Sequence, residues 1–307
     1  MKKVFIAMLL VFALVGGTHA TDLTELFVNV VPITGSSNSQ IVTGKVFYVG
    51  DSYNGVTGVD AGPSGASVSS PYATLDYAIN ASTASRGDVI YLLPGHSETI
   101  TSATTIALDV AGVKVIGLGT GSAMATITYT TSTAATLPIS ADNVHLENIL
   151  FVMGANGGAD AMSAMATVTG SDVTFKNCEF RQGNSTAQAE RAIYITDGAD
   201  RINVIGCKIW TETTTGAIAS VDFYNTGTQS SDYNVIAENR IFGDFSSAPV
   251  YSAYTGTVNS VINNEITNYN AGDFAAMTWR SGYCLRPLAC NNMRDFLRTK
   301  KKRRKKK

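Results

Sequence analysis

The chain has 307 residues, 28 glycines, only 7 prolines and 15% charged residues, a composition that suits short stacked strands with tight turns and argues against a helical bundle. Its formal net charge of −1 hides two opposite regions: 12 Lys+Arg against the single acid Asp295 from 280 onward, and an acidic body of 9 basic and 23 acidic residues over 21–279. That acidic body argues against nucleic acid as a partner of the folded part, and four cysteines are too few for a disulfide framework at this length.

Residues 1–20 read as a signal peptide. Lys2 and Lys3 form a positive start, Val4 to Val15 is an apolar run too short for a comfortable membrane span, and Thr18 and Ala20 place small residues before a cleavage site. The mature chain is expected to begin at Thr21, secreted or held at the cell surface, with no later membrane span.

Residues 21–84 form a leader, a first strand at Lys45–Val49 and a capping helix. Ser70 is expected to cap that helix and Pro71 to occupy its first position, with Tyr72, Leu75 and Ile79 on its apolar face. A second strand, Val89–Leu93, follows Gly87-Asp88 and ends at Pro94-Gly95.

From 85 to 279 one phrase recurs. Val144-His-Leu146-Glu-Asn148-Ile-Leu-Phe151 returns as Val173-Thr-Phe175-Lys-Asn177-Cys-Glu-Phe180, and again near Val204, Ile236 and Val261. Val115, Leu146, Phe175, Val204, Ile236 and Val261 make one column, spaced by 25 to 32 residues, which is a solenoid period. Five places later stand Phe151, Phe180, Ile209, Ile241 and Ile266; the odd step requires a bend between the two columns. Gly117, Asn148, Asn177, Gly206, Glu238 and Asn263 occupy that bend, and Asn and Gly are the types that tolerate left-handed backbone.

The next column holds Leu118, Ile149, Cys178, Cys207, Asn239 and Asn264. Asn239 and Asn264 are placed to bond amide to amide. Cys178 and Cys207 stand one coil apart, about 4.8 Å, so a disulfide is within reach, but parallel side chains favour two buried thiols. Glu179 beside Lys208, and Arg240 beside Glu265, are expected to form ion pairs that fix register. The fold class is therefore all-β: a right-handed parallel β-helix of about seven coils, capped by a short N-terminal helix.

Several stretches carry a family resemblance: Phe47-Tyr-Val49, Ser70-Pro-Tyr-Ala-Thr-Leu75, Gly87-Asp-Val-Ile90 and Pro94-Gly95. Together they resemble the opening of pectin-lyase-like β-helix proteins, with the likeness running over roughly 45–279. The resemblance implies the fold and is nearly silent on activity. Lyases on this fold use calcium on Asp/Glu and an Arg or Lys as base, while hydrolases use clustered aspartates.

The sequence offers one place for such chemistry, the turn before each rung, with Asp142, Ser171, Asp200, Asp232 and Thr257 in column. Asp197, Asp200 and Asp232 are the candidate calcium ligands and Arg201 the candidate catalytic residue. The competing reading is that Asp simply favours turns. No Ser/His/Asp arrangement or metal-spaced histidine pair appears.

The expectation is therefore a non-catalytic β-helix, structural or carbohydrate-binding, with a polysaccharide or cell-surface glycan as partner and no required cofactor. A polysaccharide lyase or hydrolase is the alternative. A further alternative is an assembly or fibre protein forming homo-oligomers through an open last coil at Val261 to Ile266. The basic stretch 280–307 reads as disordered or as a frame error, against a polybasic tail for an anionic surface.

Overall fold

The computed structural model describes residues 44–50, 52–130, 133–154, 162–184, 187–212, 217–223, 231–252 and 259–268. The expected signal segment 1–20, the leader before 44 and the tail from 280 lie outside the described residues.

Among the described residues, three parallel sheets run along the solenoid. The first has eight strands: Val46–Val49, Val89–Leu92, Lys114–Gly117, His145–Glu147, Thr174–Lys176, Asn203–Ile205, Val235–Ala237 and Ser260–Ile262. The second has seven: Ser97–Ile100, Thr126–Tyr129, Leu150–Met153, Glu179–Arg181, Lys208–Trp210, Arg240–Gly243 and Glu265–Asn268. The third has five: Leu137–Ile139, Ala166–Val168, Arg191–Ile195, Ala219–Phe223 and Val250–Ser252. The seven expected rungs are all present in the first sheet, and Val46–Val49 adds an eighth. Only five coils carry all three strands among the described residues, fewer than the seven expected from rung starts alone.

The register follows the sequence columns. Phe47, Ile90, Val115, Leu146, Phe175, Val204, Ile236 and Val261 pair in one file up the first sheet. Phe151, Phe180, Ile209, Ile241 and Ile266 do the same in the second. Both files face one continuous core, with Val261 and Ile266 only partly buried at its end, as alternation along half-buried strands demands.

The bend column is a column of left-handed backbone: φ is 57° at Asn148, 53° at Asn177, 64° at Gly206, 59° at Glu238 and 54° at Asn263. Gly206 is needed for a second reason, since a Cβ there would lie 2.6 Å from Asn177 Oδ1. The first member departs from the pattern. Gly117 is not left-handed and Leu118 is 45% exposed, because this coil's turn is lengthened by the 3-10 turn Gly121–Ala123. Thr126–Tyr129 consequently enters the second sheet only after that insertion, beside Leu150–Met153.

Asn239 and Asn264 form the expected ladder. The Asn239 amide nitrogen donates to Asn264 Oδ1 at 2.9 Å and to Val204 O at 2.8 Å, while its own Oδ1 accepts from Cys207 N at 2.8 Å. A second ladder joins Asn234 to Asn259, with Ile202 N donating to Asn234 Oδ1 at 2.7 Å. Cys178 and Cys207 are buried free thiols.

The capping helix spans Leu75–Ala81 and lays Leu75, Ala78 and Ile79 over the strands Val46–Val49 and Val89–Leu92. This covers an apolar end that would otherwise face water. It starts later than the sequence suggests. Thr74, not Ser70, caps it, its hydroxyl accepting from Tyr77 N. The stretch before it is held extended, because Tyr72 exchanges backbone bonds with Tyr48 and Gly50. Asp60 accepts from Ala73 N and Thr74 N, and Glu98 accepts from Leu75 N, which fixes the helix entry. Asp88, fully buried, accepts from Lys45 N and Thr83 N and pairs with Arg86. Burial opposes its charge, but these donors hold its carboxyl below the ordinary range.

Candidate functional site

The aspartate column of the turns is a hydrogen-bond relay between coils. Asp142 Oδ1 accepts from Ser171 N at 2.8 Å, Ser171 Oγ from Asp200 N at 3.1 Å, and Asp200 Oδ1 from Asp232 N at 2.7 Å. The residue after each is left-handed in turn: Asn143, Asp172, Arg201 and Tyr233. Arg201 forks onto Asp172 of the preceding coil, two bonds of 2.7 Å, and its Nη1 lies 4.0 Å from Asp200 Oδ2. That fork holds the Asp172 carboxyl below its usual range. The structure thus brings Arg201, Asp200 and Asp232 into one turn column and places Asp197 in the turn just upstream. No group of three or more His, Cys, Asp or Glu able to hold a metal occurs among the described residues.

This geometry makes a prediction. Asp200→Ala leaves the Asp232 N–H without its carboxylate, so stability should fall by about 1 kcal/mol in urea melts. Calcium should not raise the midpoint of wild type over the variant; a calcium-dependent gain specific to wild type would speak for a bound ion instead.

The outward side of the second sheet is more suggestive. One step beyond the inward file stand Val152, Arg181, Trp210, Phe242 and Thr267. The rings of Trp210 and Phe242 lie parallel with centroids 6.1 Å apart. Arg181 approaches the Trp210 ring to 5.8 Å, and Lys208 Nζ lies 5.9 Å from Trp210 and 5.8 Å from Phe242. Glu179 ties this group together, accepting from Arg181 at 2.8 Å, Lys208 at 3.4 Å and the Trp210 indole N–H at 3.2 Å. Burial raises the Glu179 carboxyl, but the Arg181 and Trp210 donors outweigh it and hold it low. One coil on, Arg240 and Glu265 pair at 2.9 Å and stand well exposed.

The outward side of the third sheet carries a different cluster. Tyr194, Asp222 and Tyr251 stand in register on consecutive strands. Asp222 is 2% exposed and receives Arg191 Nε at 2.5 Å. Arg191 also donates to Glu190 Oε2 at 2.6 Å and to Ser163 O at 3.3 Å, and lies over the Tyr194 ring at 5.0 Å. Burial lifts the Asp222 carboxyl above its ordinary range, only partly offset by Arg191.

Sequence reasoning found the ion pairs Glu179–Lys208 and Arg240–Glu265 of the first cluster but missed its aromatic pair, and it missed the second cluster. The aromatic pair was within reach: carrying the alternation one place past Ile209 and Ile241 puts Trp210 and Phe242 side by side. Asp222 stands as the one charge in the strand Ala219–Phe223, and its sequence neighbours give no sign of Arg191.

No protein-family model and no curated protein matches the chain. Among solved structures, the catalytic domain of a GH87 alpha-1,3-glucanase in complex with tetrasaccharides is 15% identical at a TM-score of 0.38, covering 70% of this chain and 39% of that one. The pectin methylesterase of Aspergillus niger is 13% identical at 0.37, covering 78% and 92%. Geobacillus virus E2 ORF18 is 12% identical at 0.34, covering 69% and 48%. The chain thus spans well under half the length of the glucanase domain, and at such scores the likeness carries no argument about activity. No helix among the described residues is long and apolar enough to cross a membrane.

Proposed function

We propose that the protein is an exported, non-catalytic β-helix that binds polysaccharide along the outward side of its second sheet. The observation that carries this reading is the Trp210–Phe242 pair, flanked by Arg181, Lys208, Glu179, Arg240 and Glu265. Sugar rings offer apolar C–H faces and hydroxyl rims. Aromatic groups suit the first, and charged donors and acceptors the second. Rungs repeat about every 4.8 Å, so a polymer of similar repeat meets Arg181, Trp210 and Phe242 at successive coils. Export rests on residues 1–20 as read in the sequence. The reading asks for no metal.

Trp210→Ala is expected to weaken polysaccharide binding at least tenfold, about 1.4 kcal/mol, in calorimetric titrations run well below a melting temperature lowered by the lost Phe242 stacking and Glu179 bond. Binding equal to wild type would remove this face from consideration. New reducing ends or unsaturated product in the same mixtures would replace the non-catalytic reading with a hydrolase or lyase.

A further inference from the structure

We infer that a neutral pyranose ring stacks on the open face of Phe242, in the place that Thr267 leaves at the end of the outward file of the second sheet. This rests on the polysaccharide reading above, and it names where on that side the sugar sits and which class of sugar it is.

The file carries one flat group per coil until its last member. Arg181, Trp210, Phe242 and Thr267 stand in register on consecutive strands. Phe180, Ile209, Ile241 and Ile266, which alternate with them, pack into the core, so all four point outward. The Arg181 guanidinium lies over the Trp210 ring at 5.8 Å. The Trp210 and Phe242 rings are within 4° of parallel, with centroids 6.1 Å apart. Each of two stacked rings turns one face to its partner and the other away. The second face of Phe242 therefore looks toward the next coil, where the residue in register is Thr267, exposed and without a ring. Lys208 Nζ is 5.9 Å from one ring and 5.8 Å from the other, which places it beside the pair and not over that face. Coils are about 4.8 Å apart and carbon atoms in contact about 3.5–4.0 Å. One further ring thus fits on Phe242 at the level of Thr267.

The flanking ion pair selects the ring. Glu265 stands two residues before Thr267 on the same outward side, 69% exposed, and Arg240 Nε donates to its Oε2 at 2.9 Å. A carboxylate or sulfate on the stacked sugar would meet the Glu265 carboxylate and be repelled. A hydroxyl donates to Glu265 and accepts from Arg240 without disturbing a pair already balanced in charge. The apolar C–H face of a neutral pyranose suits the Phe242 ring, and its hydroxyl rim suits the pair.

The test is calorimetric titration of the full chain with cellopentaose, maltopentaose and pentagalacturonate as separate probes, with a thermal melt of every variant. Wild type is expected to bind a neutral pentaose more tightly than pentagalacturonate. Thr267→Trp supplies the next ring of the stack from the protein itself. It should weaken neutral binding at least tenfold while its melting temperature stays level or rises, because it adds a cross-strand aromatic pair at an exposed position. Glu265→Gln, a change at a well-exposed side chain, should weaken neutral binding about threefold or more. Neutral binding at wild-type strength by Thr267→Trp overturns the subsite; if Trp210→Ala still loses binding, the polysaccharide side stands without it. Neutral binding at wild-type strength by Glu265→Gln overturns the assigned contact, whatever Thr267→Trp does to folding. Tighter binding of pentagalacturonate than of either neutral pentaose overturns the sugar class. Absence of binding to all three by wild type removes the polysaccharide reading and the subsite with it.

Discussion

Phe180→Ala should destabilise the protein by about 4 kcal/mol, the largest effect expected of any single substitution considered. The ring is fully buried, stacks on Phe151 at 4.7 Å and meets Phe175 edge-on at 5.8 Å. It therefore joins the inward files of the first and second sheets where they converge. Truncation removes buried apolar area and leaves a cavity between coils that short strands on either side cannot easily close. It also removes an aromatic pair worth about 1 kcal/mol beyond area. Equilibrium urea unfolding reads the loss directly. Because solenoid stability is close to a sum over neighbouring coils, the transition should also broaden as the two halves uncouple. A loss below about 1 kcal/mol, with an unchanged slope, would mean that Phe180 does not sit in that shared core.

Asn239→Ala comes next, at about 3 kcal/mol. The side chain is 1% exposed and serves three coils at once. It accepts from Cys207 N, donates to Val204 O and donates to Asn264 Oδ1. Its removal leaves the buried Cys207 N–H without its acceptor, and such a group costs more than the bond itself contributes. Asn239→Leu should be no better, since filling the volume does not restore that acceptor. The two preceding members of the column, Cys178 and Cys207, are apolar by comparison. Thermal melts of the alanine and leucine variants decide the point: a leucine variant as stable as wild type would reduce the ladder to packing.

Much of this was legible in advance because the fold is periodic. Burial in a β-helix depends on a residue's place within its coil, and that place recurs every 25 to 32 residues. Phe175 over Leu146, Glu179 beside Lys208 and Arg240 beside Glu265 could all be paired by counting. The left-handed bend at Asn148, Asn177 and Asn263 followed from residue type, and Glu238 shows that position can impose that backbone on a residue that does not favour it.

Other features escaped counting. The helix start moved from Ser70 to Thr74 because Tyr72 is paired with Tyr48 and Gly50 across the chain, and no local propensity reports such a partner. The turn aspartates looked alike in sequence whether they held an ion or a backbone N–H; only the 2.7 Å contact from Asp232 N to Asp200 Oδ1 assigns the bond. The number of complete coils among the described residues is five because a rung start guarantees one strand, not three.

The sequence by itself determined the solenoid, its register and the position of its bends, since these depend on side-chain period and backbone tolerance, which are local properties repeated along the chain. The tertiary structure decided what stands on the outside. Whether Trp210 faces an aromatic neighbour, or Asp222 meets water or lies buried beside Arg191, depends on how one coil's turns lie over the next. That relation is set between residues some thirty positions apart, where local sequence exerts no force.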